Sequence, residues 1–179
     1  MPDLIAKSAL SGQAPITLAG TTLEEAHLGQ ITSIACFPGC KTKVAKKLVS
    51  LKLGSFPEPN KVSQNLIWTG PDQAFLLGTS APDLTGLAAT TDQSGAWAAL
   101  RLTGPAAEAA LMRLYPLDLR LTHFAPNTCA RAPLGHMQSV LIRDETRFVI
   151  LIFRSMARTA WHEIEAALHA MQARATAGV

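Results

Sequence analysis

Thr90 to Arg120, TTDQSGAWAALRLTGPAAEAALMRLYPLDLR, constrains the fold more than any other stretch. Ala96 to Leu102 is an apolar run carrying Trp97, which suits a half-buried or fully buried strand. Gly104 and Pro105 stop that strand. Pro105 fits the first helical position, where its missing N–H costs nothing. Ala107, Ala110, Leu111 and Leu114 then fall at i, i+3, i+4 and i+7, one apolar stripe with Glu108 and Arg113 off it. Pro116 ends the helix. The segment therefore predicts a strand, a tight turn, a helix and an exit loop.

The flanking sequence predicts more of the same. Ile31 to Phe37 reads as a strand, broken by Pro38 and Gly39. A helix follows to about Leu53, with Val44, Ala45, Leu48 and Leu51 inward and lysines outward, capped by Gly54. Asn65 to Gly78 reads as a β-hairpin around Gly70-Pro71-Asp72-Gln73. A short helix is expected near Pro82 to Leu87. Beyond the loop Leu121 to Asn127, strands are expected at Thr128 to Leu134, Met137 to Arg143 and Arg147 to Arg154. The last two form a hairpin around Asp144-Glu145. Ser155 can cap a closing helix to about Ala173, with Ala157, Trp161, Ile164, Leu168 and Met171 inward.

Hairpins mixed with helices argue an α+β fold, mostly antiparallel sheets with helices packed on one side. The 179 residues fit one compact unit. Its expected parts are an N-terminal arm at 1–30, a first α+β subdomain at 31–89 and a second at 90–179. The arm shows no clear period. It reads either as a loosely ordered terminus or as a segment that orders on a partner. A strand–helix–hairpin unit occurs twice, without a true sequence repeat.

Composition bears on partners. Charged residues make up 16% of the chain, against about 25% in ordinary globular proteins. A chain poor in charge has less surface it can leave in water, which favours a subunit that buries surface against others. The net charge of +3 does not call for nucleic acid. The cations are unevenly placed. Lys41, Lys43, Lys46, Lys47 and Lys52 share one segment, and every arginine lies at or beyond Arg101. The lysines read as a solvated helix face before an anion site. Three cysteines, an odd and small number, suit a reducing compartment. With no signal-peptide pattern and no apolar run near the ~20 residues that span a bilayer, a cytoplasmic protein without membrane contact is expected.

No constellation of catalytic residues emerges. A phosphate-binding glycine loop and G-x-S-x-G are both missing. Cys36 and Cys40 lack the C-x-x-C spacing and read as buried structural cysteines. His27, His123, His136, His162 and His169 form no H-x-x-x-H pair, and His162 and His169 read as surface or packing residues. Glu24-Glu25, Asp144-Glu145, Glu163 and Glu165 have ordinary structural explanations. Asp92, Asp118 and Arg120 flank the segment first described, and Asp118 is expected to fix its own loop by backbone hydrogen bonds. Trp68 and Trp97 read as core. Trp161 packs inside or anchors an interface. No catalytic, cofactor-binding or metal-ligating residue is assigned.

Six runs resemble the gamma subunit of heterotetrameric sarcosine oxidase: TDQSGAWAALRLTGP, LYPLDLR, FAPNTCARAPLGHM, ACFPGC, LIWTGPDQAFLLG and RSMARTAWHEIEAAL. In order they cover most of Ile31 to Leu168. The resemblance implies a subunit of an oxidoreductase complex that demethylates sarcosine to glycine and passes the one-carbon unit to tetrahydrofolate. Such a complex uses FAD, FMN, NAD and tetrahydrofolate, none bound by this chain. It implies alpha, beta and delta subunits as partners, with alpha the direct contact. More distantly, Thr91 to Ile152 is similar to the folate-binding domain of aminomethyltransferases. Asp92-Gln93-Ser94 resembles that family's D-L-S, Leu102-Thr103-Gly104-Pro105 its V-x-G-P and Pro116-Leu117-Asp118 its T-N-D. That family carries a functional aspartate in a D-D-L-I/V strand, where this chain reads Gln138-Ser139-Val140-Leu141. A transferase needs a group there to orient the folate nitrogen and handle a proton. The resemblance thus implies a retained fold with lost chemistry, against the alternative of a free-standing folate-binding or aminomethyltransferase-like protein.

Overall fold

The computed structural model describes Ile5 and residues 7–178. Residues 1–4 and 6 of the expected arm, and Val179, lie outside the described residues.

The strands are β1 (Ile16–Leu18), β2 (Thr21–Ala26), β3 (Ile31–Cys36), β4 (Val62–Ser63), β5 (Leu66–Gly70), β6 (Gln73–Leu77), β7 (Ala88–Asp92), β8 (Trp97–Thr103), β9 (Thr128–Leu134), β10 (Met137–Arg143) and β11 (Arg147–Phe153). The helices are α1 (Lys41–Ser50), α2 (Ala107–Leu111) and α3 (Ala157–Ala177). All strand pairs are antiparallel, in two sheets ordered β1-β2-β8-β11-β10-β9 and β4-β5-β6-β3-β7. The expected α+β class, antiparallel sheets with packed helices, is what forms.

Strand alternation sorts side chains into three cores. From β8 and β11, Leu100, Leu102, Ile150 and Ile152 meet Trp161, Ile164 and Leu168 of α3. The alternate residues Trp97, Ala99 and Leu151 join Ile31, Ile67 and Phe75 of the other sheet. Beyond that sheet, Ile34, Leu66 and Leu76 pack on Val44 and Leu48 of α1. The order through the molecule is α2 and α3, six-stranded sheet, five-stranded sheet, α1. β8, β10 and β11 are buried on both faces, which is why their sequences are continuous apolar runs. Trp161 is 3% exposed and packs inside.

The twice-occurring unit has a topological counterpart. The orders β4-β5-β6-β3-β7 and β9-β10-β11-β8-β2 match strand for strand, with α1 after β3 and α2 after β8. The fifth place is filled by β7 in one and by β2 in the other.

β2 corrects the expected arm. Ile16–Leu18 and Thr21–Ala26 are sheet strands, and β2 is paired on both sides. Thr21 and Leu23 are fully buried, and Glu24 pairs with Arg101 opposite it on β8 at 3.0 Å. The polar residues of TTLEEA find partners distant in sequence, across the sheet for Glu24, at the Ala106 corner for Thr21 and in the Ser8–Leu10 segment for Glu25, so no local period reveals them. Gly104, at φ +136°, lets the β8–α2 corner close on β2: a Cβ there would lie 2.5 Å from the Gly20 carbonyl oxygen and 2.6 Å from the Thr21 Cα. The Ala106 N–H then donates to the buried Thr21 hydroxyl at 2.8 Å.

Other boundaries also shift. Pro82 to Leu87 is a turn rather than a helix: the Thr85 N–H donates to Asp83 Oδ1 at 2.9 Å, and Gly86 at φ +73° stops propagation. β7, too short and polar for an apolar strand, follows directly. α1 ends at Ser50 because Leu51 and Lys52 turn out of the helix, Lys52 at φ 58°. α2 has five residues and unwinds before Leu114, which is only half-buried. Ser155 does not cap α3; it lies in a 3-10 turn, Arg154–Met156, ahead of it. Cys36 and Cys40 are half-buried rather than buried.

Candidate functional site

Two clefts lie along the joins between the sheets and their loops, and the residues singled out in the sequence divide between them. The first, of about 490 Å³, is lined by Asn60, Lys61, Asp118, His123, Thr128 and Cys129 among others. Antiparallel contact between Asn60-Lys61 and the start of β9 brings its walls together. The Arg120 N–H donates to Asp118 Oδ1 at 3.1 Å, the loop-fixing bond expected of Asp118. The Arg120 Nε–H also donates to both carboxylate oxygens, at 2.9 and 3.0 Å. His123 Nδ1 lies 3.4 Å from Asp118 Oδ2 and 2.9 Å from Thr122 Oγ1.

This cluster is a weak starting point for acid–base chemistry. The Arg120 hydrogen bonds hold the Asp118 carboxyl well below the usual carboxylate range, so it stays ionised at neutral pH and has no proton to give. Cys129 is fully buried, and its thiol donates to the Lys61 and Trp68 carbonyls at 3.4 and 3.5 Å. Burial pushes that thiol up to about 12, so it stays protonated and is no nucleophile.

The second cleft, of about 270 Å³, is lined by Ser8, Glu25, His27, Ser94, Trp97 and Arg154 among others. It forms where β2, the β7–β8 turn and the end of β11 meet. Glu25 accepts from Ser8 Oγ at 2.7 Å. The Arg154 guanidinium donates to the Lys7 carbonyl. Asp92, beside the cleft, accepts from the Ser94 N–H and hydroxyl at 2.9 and 2.6 Å, which lowers its pKa. Ser94 Oγ in turn accepts from the Ile31 N–H at 3.0 Å, tying the two sheets together. Trp97, 8% exposed, stacks on Phe153 with centroids 4.5 Å apart, and its Nε1–H has no hydrogen-bond partner among the described residues. From the sequence, Glu25 reads as ordinary and His27 as unpaired, and neither Lys61 nor Arg154 stands out. Their neighbours here come from distant parts of the chain, and no local spacing signals that.

The two carboxylate-free positions noted on β10, Gln138 and Ser139, line neither cleft. Ser139 is 1% exposed. Its hydroxyl donates to the Ala132 carbonyl at 2.7 Å and meets Tyr115 Oη at 2.7 Å. Burial raises the Tyr115 pKa, so the phenol stays neutral. The neighbouring Gln138 points outward and is exposed. Position 139 is a closed hydrogen-bonded knot under α3, facing the helical core. His162 and His169 are exposed on α3. Among the described residues, no group of three or more His, Cys, Asp or Glu side chains could hold a metal ion. Among the described residues, no helix is long and apolar enough to cross a membrane.

The fold and these clefts describe an α+β, two-sheet chain in which the cleft-side carboxylates Glu25, Asp92 and Asp118 are each held by neighbouring donors. No protein-family model matches it, and no curated protein matches it in sequence. Among solved structures it is similar to a chain of the heterotetrameric sarcosine oxidase from Corynebacterium sp. U-96, solved in complex with pyrrole 2-carboxylate. The TM-score is 0.79 at 22% identity, over 91% of this chain and 94% of that one. The two share a fold, and the resemblance seen in the sequence has its structural counterpart. The regulatory subunit of aspartate kinase from Thermus thermophilus overlaps at a TM-score of only 0.43, too low to bear on the fold.

Proposed function

We propose that this chain is the gamma subunit of a heterotetrameric sarcosine oxidase, an assembly component without chemistry of its own. In this reading the complex demethylates sarcosine to glycine and hands the one-carbon unit to tetrahydrofolate. FAD, FMN, NAD and folate sit on the other subunits. Alpha, beta and delta are the partners, alpha the direct contact, in the cytoplasm.

The observation that carries the reading is the pair Gln138-Ser139. A folate-dependent transferase needs a carboxylate on that strand, and neither position offers one: Gln138 is an exposed amide, and the Ser139 hydroxyl is sealed between Tyr115 and Ala132. The fold shared with a chain of a heterotetrameric sarcosine oxidase supports the assembly half. The low charge content supports it independently.

Activity separates this reading from a free-standing folate protein. The isolated chain is expected to form no peroxide from sarcosine and to show no saturable binding of tetrahydrofolate by calorimetry. Co-expressed with alpha, beta and delta subunits, it is expected to be part of the peroxide-forming species. Saturable folate binding by the chain alone would overturn the proposal.

A further inference from the structure

α1 is the outermost layer on the five-stranded side, and its charge is unlike that of the other long surface helix. Lys41, Lys43, Lys46 and Lys47 lie on it, with Lys52 just beyond, and α1 carries no acidic residue. α3 mixes its signs, with Arg158 and Arg174 beside Glu163 and Glu165. A face kept only for solvation usually intersperses both signs. α1 does not. Lys43 stacks beside Lys46 and Lys47 at i+3 and i+4, which weakens a helix standing alone. Lys41 and Lys43 sit in its first turn, where the helix dipole disfavours cations, and Cys40 supplies no side-chain cap.

Little within the chain neutralises this face. Lys41 reaches Asp72 at 3.6 Å, and Asp83 feels the charge of Lys47. Lys43, Lys46 and Lys52 have no ion-pair partner among the described residues. The same end of the helix exposes two aliphatic side chains, Val49 at 55% and Leu51 at 49%. Unpaired lysines flanking exposed aliphatics are what a docking surface for an acidic partner presents.

We infer that the outer face of α1 and its C-terminal turn, Lys43, Lys46, Val49, Leu51 and Lys52, dock a carboxylate-rich surface of a protein partner. An anionic lipid surface fits less well, because Val44 and Leu48, the apolar face a membrane-lying helix must present, are spent in the core. Nucleic acid fits less well too, because the patch holds no arginine and no aromatic for stacking. The assembly proposal supplies only the partner's identity, a neighbouring subunit of the same complex. The surface itself is argued from charge.

The test is charge reversal. K43E/K46E places acids in and near the first turn, which suits the isolated helix, so the variant folds. R158E on α3 is the control for an equal change elsewhere. With alpha, beta and delta subunits, K43E/K46E should weaken association by about tenfold or more, with a reduced salt dependence, while R158E should not. Unchanged association of K43E/K46E would overturn the inference and leave the assembly proposal standing. If the wild-type chain fails to associate at all, the assembly proposal falls. A labelled poly-glutamate peptide then decides the inference, beside oligo-dT and phosphatidylcholine–phosphatidylserine vesicles. Salt-sensitive preference for poly-glutamate, lost in K43E/K46E, supports it. Equal or tighter binding of oligo-dT or vesicles, or no difference between wild type and variant, overturns it.

Discussion

Ser139 and Tyr115 show what one residue substitution can fix. Their hydroxyls satisfy each other in a site sealed from water, and Ser139 also donates to the Ala132 carbonyl. Ser139→Ala would strand the Tyr115 hydroxyl, at a cost of about 1–3 kcal/mol. Tyr115→Phe leaves Ser139 its carbonyl partner and should cost about 1 kcal/mol in lost bonding. The double variant should lose less than the sum of the two, measurable by urea denaturation. A full sum would mean that the two hydroxyls are not coupled. Ser139→Asp would bury a carboxylate with no cation beside it, so loss of the fold is expected rather than gain of folate chemistry.

Cys129 makes a pH prediction at the same scale. Its folded pKa is raised from 9.0 to about 12 by burial. Between those values the unfolded chain gives up the thiol proton and the folded chain keeps it. Stability from this group is therefore complete below about pH 9 and falls as pH rises, by up to about 1.4 kcal/mol per unit. Melting curves at alkaline pH should show that decline, and Cys129→Ala should flatten it. A thiol reagent should modify Cys36 and Cys40 in the native protein and reach Cys129 only after denaturation. Burial also raises the Cys36 thiol, so Cys36 should react more slowly than it would in the unfolded chain.

At the scale of elements, what the sequence disclosed depended on where each strand finds its partners. β9 and β10 were legible to the residue and β8 and β11 to within one, because β8, β10 and β11 are buried on both faces and β9 runs from the Asn127 loop to the Gly135 turn. β2 was not. Its two glutamates look like surface, yet Glu24 meets Arg101 across the sheet and Glu25 accepts from Ser8 and from the Leu10 N–H. β7 was hidden by exposure along Ala89 to Asp92, and among the described residues it pairs with β3 alone. The long lever of β2 predicts a deletion result. Removing residues 1–26 uncovers one edge of β8 and takes Leu10 and Leu23 from the core. That chain should lose its cooperative thermal transition. A cooperative melt after the deletion would mean that β2 is an accessory strand.

At the scale of the whole molecule, the two matching five-strand orders explain why a repeated strand–helix–hairpin unit shows in the sequence while no repeat of residues does. Topology is kept by the pattern of apolar runs and turns, and each half has its own core and its own helix. The candidate clefts were less legible than the fold. They assemble from Glu25, Lys61, Asp118 and Arg154, residues separated widely in sequence. The central claim is that this chain acts by joining a larger assembly. It is tested most directly by co-expressing it with alpha, beta and delta subunits and recording mass and flavin absorbance across a size-exclusion column. The account predicts that the chain leaves the column with the flavin-bearing subunits, in a species heavy enough to hold all four. Elution of the chain alone as a monodisperse species, apart from the flavin peak, would contradict it.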